Sequence, residues 1–193
     1  MKYKKIFKII KNSKRVDVLN VSGAVIFAMD CCIYSAKDMP SLLSAEEFGA
    51  VFEIEPDKLS GFDIHIDSET ERQRAFLNID RGVPLERLGS FSLGGLSCVL
   101  FKKAEQRQLT LEGLDSSAEN DFSGYIAIDP AMLTPISDGI ISFEYIKFLG
   151  SGCVCAFENG SPVAVIRPRV IEAESIEHIR EICEGLGAYY ARE

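Results

Sequence analysis

The feature that most constrains the fold of this chain is a long series of short apolar runs separated by turn residues. Each run has the length and the β-branched or aromatic content that are typical of a strand. The runs are Val16–Val21, Ala24–Phe27, Ala50–Ile54, Phe62–Ile66, Ala75–Ile79, Leu96–Phe101, Leu109–Leu111, Gly124–Ile128, Ile140–Ile146, Cys153–Phe157 and Val163–Ile166. The Asn159-Gly160 dipeptide between the last two runs predicts a β-hairpin turn.

Helical patterns are fewer and lie mainly at the two ends of the chain. The first residues carry an apolar face at helical spacing, which predicts a helix packed on the sheet. Its members are Tyr3, Ile6, Phe7 and Ile10. The other helical candidates are Ser175–Glu184, Ser41–Phe48 and short turns that begin at Pro56 and Pro130. We therefore predict an α+β fold with a mostly antiparallel sheet and terminal helices at 1–15 and 172–193.

An internal repeat is the most informative pattern along the chain. Without gaps and at an offset of 74, residues 23–60 align with residues 97–134. The best-matched positions are Phe48, Ile54, Glu55, Pro56 and Leu59 against Phe122, Ile128, Asp129, Pro130 and Leu133. The acids before the prolines are expected to cap short helices. We predict two tandem β-rich repeats of about 75 residues, 16–82 and 90–171, within one compact domain spanning 1–193.

Charge is distributed very unevenly. The net charge is −8, but the first fifteen residues carry seven basic residues and no acid, whereas 16–193 carry 14 basic and 29 acidic residues. The basic residues are Lys2, Lys4, Lys5, Lys8, Lys11, Lys14 and Arg15. Either they form a solvated helix face, or they contact a phosphate backbone or an anionic lipid surface. The acidic remainder disfavours a protein that wraps nucleic acid over its whole surface.

Signals for catalysis or metal binding are weak. The only histidines, His65 and His178, lie on a predicted polar strand face and a helix face, and no hydrolase, zinc-protease or nucleotide-binding motif occurs. The six cysteines lack the spacing of a zinc site. They are expected to be reduced, and Cys31 and Cys32 are redox-active or, more simply, buried in a strand. We expect no cofactor, no metal, no membrane partner and a cytoplasmic location.

The second half of the chain resembles the DNA sliding clamps. The resemblance runs from Phe122 through Tyr125, Ile128, Pro130 and Leu133, and continues along Gly160–Ile171. It covers about half of the chain and implies an internally duplicated fold, an acidic protein with basic helices that line a DNA-filled hole, and assembly into a homo-oligomer. The basic residues of 1–15 would suit such a lining.

Two classes of function remain open. The first is a non-catalytic binding or assembly module that contacts DNA through the basic N-terminal helix or contacts another protein. The alternative is a small enzyme or a ligand-binding regulatory subunit with its site between the two repeats. The scarcity of catalytic motifs favours the first class.

Overall fold

The structure is a computed structural model that describes residues 3–67, 69–93, 96–104, 124–136, 139–169 and 181. The helices are α1 (Tyr3–Ser13), α2 (Ala45–Val51), α3 (Pro56–Leu59), α4 (Glu71–Leu77) and α5 (Pro130–Leu133). The strands are β1 (Arg15–Val21), β2 (Ala24–Met29), β3 (Cys32–Lys37), β4 (Asp63–Ile66), β5 (Val83–Leu93), β6 (Leu96–Lys103), β7 (Tyr125–Ile128), β8 (Ile141–Phe148), β9 (Ser151–Glu158) and β10 (Ser161–Ile166).

All ten of these strands belong to one sheet. Their order is β4-β1-β2-β3-β10-β9-β8-β5-β6-β7. Every neighbouring pair is antiparallel except β1 and β4, which run parallel. The predicted α+β class with a mostly antiparallel sheet is confirmed.

The pairing of β3 with β10 joins the early and the late strands. Tyr34 lies opposite Ala164, and Cys32 lies opposite Ile166. Beyond β10, the Arg169 amide donates to the Ala127 carbonyl of β7 at 2.9 Å. The Tyr34 hydroxyl donates to the Met132 carbonyl in α5 at 2.7 Å. The sheet therefore curls. Its edge strand β7 and the helix α5 come close to the central strand β3 and to the segment that follows β10.

Both faces of the central strands are buried. Along β2, Val25 and Phe27 belong to the large core cluster, whereas Ile26 and Ala28 belong to a second cluster on the opposite face. This alternation follows from the period of two of a β-strand. Helices α1 and α2 cover the first face, and α4 covers the second through Phe76.

Two segments that we predicted as strands are helical or follow a helix. Residues 50–54 contain the end of α2 and the loop after it, and residues 75–79 contain the end of α4 and the loop after it. Ser44 caps α2 by accepting the Glu47 amide, and Thr70 and Gln73 form a complete capping box at α4. The strand prediction was wrong because a cap at the start of a helix favours helix formation more strongly than a short apolar run favours a strand.

Other differences concern strands and chain ends. Strands β3 and β5 were not predicted, whereas the short turns at Pro56 and Pro130 and the hairpin at Asn159-Gly160 are confirmed. The helix predicted over 1–15 occupies Tyr3–Ser13. It ends because Lys14 adopts a φ of 59°, and the next residue begins β1. The predicted strand Leu109–Leu111 lies outside the described residues, as does the helix over 172–193 apart from Glu181, which is helical.

The aligned repeats agree at an upstream strand, where β2 corresponds to β6, and at the proline turns. Helices α3 and α5 are both four residues long, begin with proline, and follow a residue in an extended conformation. However, α2 precedes the first turn and β7 precedes the second, and Phe122 lies outside the described residues. Further downstream, the sequence of residues 76–82 loosely resembles that of residues 154–160. That match is wrong as a structural equivalence because 76–82 contains part of α4, whereas 154–160 contains part of β9. Duplication therefore stays a prediction.

The anchoring of α1 gives a first testable prediction. Ile10 has no exposed surface, so Ile10→Ala should lower the free energy of unfolding by about 2–4 kcal/mol through lost burial and an unfilled cavity. The neighbouring exposed Lys11 gives a matched control, and Lys11→Ala should change the free energy of unfolding by less than about 0.5 kcal/mol. Urea unfolding measures both values. Equal losses in the two variants would show that α1 is not held by its apolar face.

Candidate functional site

The lysines of α1 lie on a rigidly held surface. Ile6, Ile9 and Ile10 are buried in the main core, and Phe7 stacks on Phe52 of the chain just after α2, with ring centroids 5.3 Å apart. These contacts fix the rotation of the helix about its axis. The remaining face therefore points to solvent, and it carries the exposed residues Lys4, Lys5, Lys8 and Lys11.

Three of these lysines form one stripe along the helix. Lys4, Lys8 and Lys11 follow i, i+4 and i+7 spacing, which places their side chains on one side of an α-helix. At about 1.5 Å of rise per residue, the stripe is about 10 Å long. Lys5 flanks it. We call these four residues the basic helix face.

Most of the basic helix face has no acidic partner within the described ranges. Lys4 is the exception, because its ammonium lies 2.6 Å from the Glu53 carboxylate and lowers the pKa of that group. Both side chains are largely exposed, so this ion pair contributes little to stability. Within the described part of the chain, Lys5, Lys8 and Lys11 contact no carboxylate within 4.0 Å.

The other predicted DNA-contact residues are placed differently. Lys14 follows the helix, and Arg15 begins β1, where its guanidinium lies 3.8 Å from Asp63 and 3.9 Å from Asp17. Asp63 also pairs with His65 at 2.8 Å. The acidic residues of β1 and β4 therefore mark the limit of the basic surface beyond α1. Lys2 lies outside the described residues.

A cleft lies between the segment that follows α4 and the end of β8, and its lining residues were not identified from the sequence. One wall is the end of α4 and the segment 78–83, and the other is the end of β8. Its volume is about 860 Å³. Arg74, Arg81 and Asp80 are among its lining residues, above a floor that includes Ile146 and Phe148. Lys147 contributes to the wall from β8, but its side chain lies on the opposite face of that strand from Ile146 and Phe148. The residues come from distant parts of the sequence, so no local motif identifies them.

A buried carboxylate holds these two walls together. Glu144 of β8 is only 3% exposed. One of its oxygens accepts the Gly82 amide at 2.7 Å, and the other pairs with the Arg81 guanidinium. That guanidinium also lies 4.4 Å above the ring centre of Phe157. The charge of Glu144 is thus paired as a buried carboxylate must be, and Arg81 is fixed at the cleft.

Gly82 is required for this close approach. A Cβ atom there would lie 2.1 Å from the Tyr145 carbonyl oxygen, so a side chain would push the segment off β8. The segment could not then keep both the amide contact to Glu144 and its place in the wall.

Cys31 lies in the turn between β2 and β3, and Cys32 is the first residue of β3. The two sulfurs lie 3.8 Å apart, and Cys31 is half-buried whereas Cys32 is buried. When Cys31 is a thiolate it accepts a hydrogen bond from the Cys32 thiol, and this contact lowers the pKa of Cys31 from 9.0 to about 7; Arg72 adds a small effect in the same direction. The same hydrogen bond and burial raise the pKa of Cys32. Only Cys32 lies in a strand, so the expectation that both do is corrected for Cys31.

The remaining described cysteines are core residues. Burial raises the pKa of Cys98, Cys153 and Cys155, and the last two lie on the same face of β9, as their spacing predicts. Over the described ranges, no three histidine, cysteine or acidic side chains cluster closely enough to hold a metal ion. No helix in those ranges has the length and apolar character needed to cross a bilayer.

The acids before the two prolines differ in role. Asp129 accepts the Ala131 amide at 2.9 Å and so caps α5, as expected. It also pairs with Arg169. Glu55 makes no capping hydrogen bond and pairs with Lys58 instead.

Comparisons with known proteins add no relative to this chain. A scan of protein-family profiles finds no match, and searches of curated proteins and of solved structures find no significant similarity.

Gly82 provides a test of the wall of the cleft. Gly82→Ala should lower the free energy of unfolding by about 2–4 kcal/mol, because its Cβ would lie 2.1 Å from the Tyr145 carbonyl oxygen, a backbone atom that cannot move aside without shifting β8. Gly61 is a matched control, since a Cβ there meets only the Lys58 carbonyl, at 3.3 Å. Urea unfolding of both variants should separate them. A loss as large for Gly61→Ala would refute the close packing of Gly82.

The Cys31 thiol gives a prediction about pH. Since the thiolate is the reactive form, the rate of Cys31 alkylation by iodoacetamide should rise with pH around a midpoint near 7. The other described thiols, whose pKa values are raised, should react slowly. Mass spectrometry of the alkylated peptides measures each site.

The cause of this low pKa can be tested separately. Cys32→Ala removes the hydrogen-bond donor and should move the midpoint toward the ordinary value of 9.0, whereas Cys32→Ser retains a donor and should move it less. A midpoint near 9 in the unaltered chain would contradict the assigned contact.

Proposed function

We propose that this chain is a non-catalytic binding module that contacts the phosphate backbone of double-stranded DNA through the basic helix face. One observation carries the proposal: the lysines project from a helix whose opposite side is locked into the core, and Lys5, Lys8 and Lys11 have no acidic partner in the described ranges. Fixed, unpaired ammonium groups bind phosphates without first breaking an ion pair.

The charge of the rest of the chain supports a one-sided contact. Residues 16–193 carry 14 basic against 29 acidic residues. Such a surface repels DNA, so the duplex meets the protein at α1. Sequence-independent binding of this kind is driven by the release of counterions from the phosphates.

The resemblance to sliding clamps suggests a sharper form of the proposal. In that form, several copies make a ring, α1 lines its hole, and the DNA is held topologically. A ring retains nicked circular DNA but loses the same DNA after it is linearised, because the ring slides off the ends. Sedimentation of the protein in solution and retention on the two DNA forms test the ring separately from the phosphate contacts.

Salt dependence tests the phosphate contacts themselves. For a 20-base-pair duplex, the logarithm of the association constant should fall with the logarithm of salt concentration with a slope of about −3 to −4, if three or four lysines each neutralise one phosphate. Lys8→Gln combined with Lys11→Gln should make this slope shallower by about two. Fluorescence anisotropy between 50 and 200 mM salt, about the range over which such binding weakens strongly, gives the slopes.

A matched variant controls for net charge. Lys37→Gln combined with Arg87→Gln removes two exposed cations from the body of the protein and should leave the slope unchanged. The proposal fails if both double variants give the parent slope. Binding to phosphatidylserine vesicles but not to the duplex would instead identify an anionic lipid surface as the partner.

A further inference from the structure

The adjacent thiols of Cys31 and Cys32 form a pair that the proposed DNA contact does not use. Their sulfur atoms lie 3.8 Å apart, although adjacent side chains within a strand point to opposite faces. They meet because Cys31 lies in the turn and only Cys32 belongs to β3. The backbone of this turn is held on two sides. The Arg167 amide donates to the Cys31 carbonyl at 2.8 Å, and the Arg72 guanidinium donates to the Asp30 carbonyl at 3.3 Å.

The two thiols differ in access and in acidity. Cys31 is half-buried and keeps part of its surface in contact with solvent, whereas Cys32 is 1% exposed. The hydrogen bond from the Cys32 thiol, with a smaller effect of Arg72, lowers the pKa of Cys31 to about 7, against the opposing effects of burial and of Asp30. Cys31 is therefore the sulfur that carries negative charge and meets a reagent first.

The gain in reactivity from this acidity is moderate. Near pH 7, a thiol with a pKa of about 7 is about half thiolate, against about 1% for a thiol with a pKa of about 9. The intrinsic nucleophilicity of the thiolate falls up to about ten-fold over the same change in pKa, so the net gain in rate is about five-fold. The feature that distinguishes the pair is thus the second sulfur, which lies within reach of any product formed on the first.

We propose that Cys31 and Cys32 form a redox modification site, at which a hydroperoxide oxidises the two thiols to a disulfide. In the first step the Cys31 thiolate attacks a peroxide oxygen. An S–O bond forms, the O–O bond breaks, and the departing oxygen takes up a proton from solvent. The peroxide is thereby reduced by two electrons, and Cys31 becomes a sulfenic acid.

In the second step the Cys32 sulfur attacks the Cys31 sulfur. The S–S bond forms, the S–O bond breaks, and the thiol proton of Cys32 passes to the departing hydroxyl, which leaves as water. With hydrogen peroxide, two thiols and one peroxide give one disulfide and two water molecules. The burial of Cys32 is no obstacle to this step, because its proton is taken by the leaving group and not by solvent.

A disulfide between adjacent residues is readily reversed. The Cα atoms on the two sides of a trans peptide bond lie about 3.8 Å apart, closer than the roughly 4.4–6.8 Å found in most disulfides. The resulting strain makes the bond easier to reduce than a structural disulfide. An external thiol such as glutathione therefore returns the pair to its reduced form.

Peptide mapping of the reduced, unaltered chain after treatment with hydrogen peroxide tests the site without any substitution. The peptide that contains Cys31 and Cys32 should lose two hydrogen atoms, stay within one chain, and regain the hydrogens after addition of glutathione. This change should precede oxidation of Cys98, Cys153 and Cys155, because these three thiols are buried.

Variants separate the roles of the two sulfurs. In Cys32→Ala no second thiol is within reach, so dimedone should capture a sulfenic acid on Cys31 that the unaltered chain does not accumulate. In Cys31→Ser the remaining Cys32 should react at least about five-fold more slowly than Cys31 does, because it lacks the low pKa as well as the access to solvent. Cys153→Ala is a matched control that removes a buried thiol also affected by Arg72, and it should behave as the unaltered chain does.

Two results would overturn the proposal. One is accumulation of sulfinic acid on Cys31 in the unaltered chain without any disulfide, which would show that Cys32 does not attack. The other is a disulfide between two chains, or oxidation of the buried cysteines ahead of Cys31, which would show that the adjacent pair is not the preferred target.

Discussion

The pairing of β3 with β10 is the interaction on which the rest of the structure depends. It joins a local meander, β1 to β3, to a second local meander, β8 to β10, across more than a hundred residues of sequence. Each meander forms from neighbouring strands, but the shared core closes only when Tyr34 lies beside Ala164. The Tyr34 hydroxyl then donates to the Met132 carbonyl, and burial raises the pKa of Tyr34. Contacts this distant in sequence carry a large loop-closure cost, so this step should limit the rate of folding.

Sequence reasoning worked where a local signal has one physical outcome. Asn159-Gly160 fits the positive φ values of a tight hairpin, and both residues adopt them. It failed at Ala50–Ile54 and Ala75–Ile79, because an apolar run of five residues fits either a strand or the last turn of a helix. The cap upstream decides between the two, at Ser44 and Thr70. Strand β3 was missed for another reason: Ser35 interrupts its apolar run, although the strand is buried on both faces.

The two candidate sites also differ in how well a local sequence signal predicts them. The basic helix face is a property of eleven consecutive residues, so spacing alone predicts which side packs and which side carries the lysines. The cleft is a property of the topology. Its two walls, the segment 78–83 and the end of β8, meet where Glu144 receives the Gly82 amide, and nothing in either local sequence signals the other. The cysteine pair lies between these cases: adjacency is visible in the sequence, but the low pKa of Cys31 depends on the turn that brings the sulfurs to 3.8 Å.

The distribution of charge connects the two sites to one constraint. A body with 29 acids against 14 bases repels any anion at long range, and at about 0.1 M salt this repulsion extends about 10 Å. An anion can therefore bind only where cations are held in place and are not consumed by neighbouring acids. Helix α1 meets that condition through its buried isoleucines, whereas in the cleft Arg81 is paired with Glu144. The first surface is long and open, which suits a polymer of phosphates. The second is concave and floored by apolar side chains, and its cations are balanced by Asp80 and Glu144, so the acidic body would direct an anion to α1 and not to the cleft.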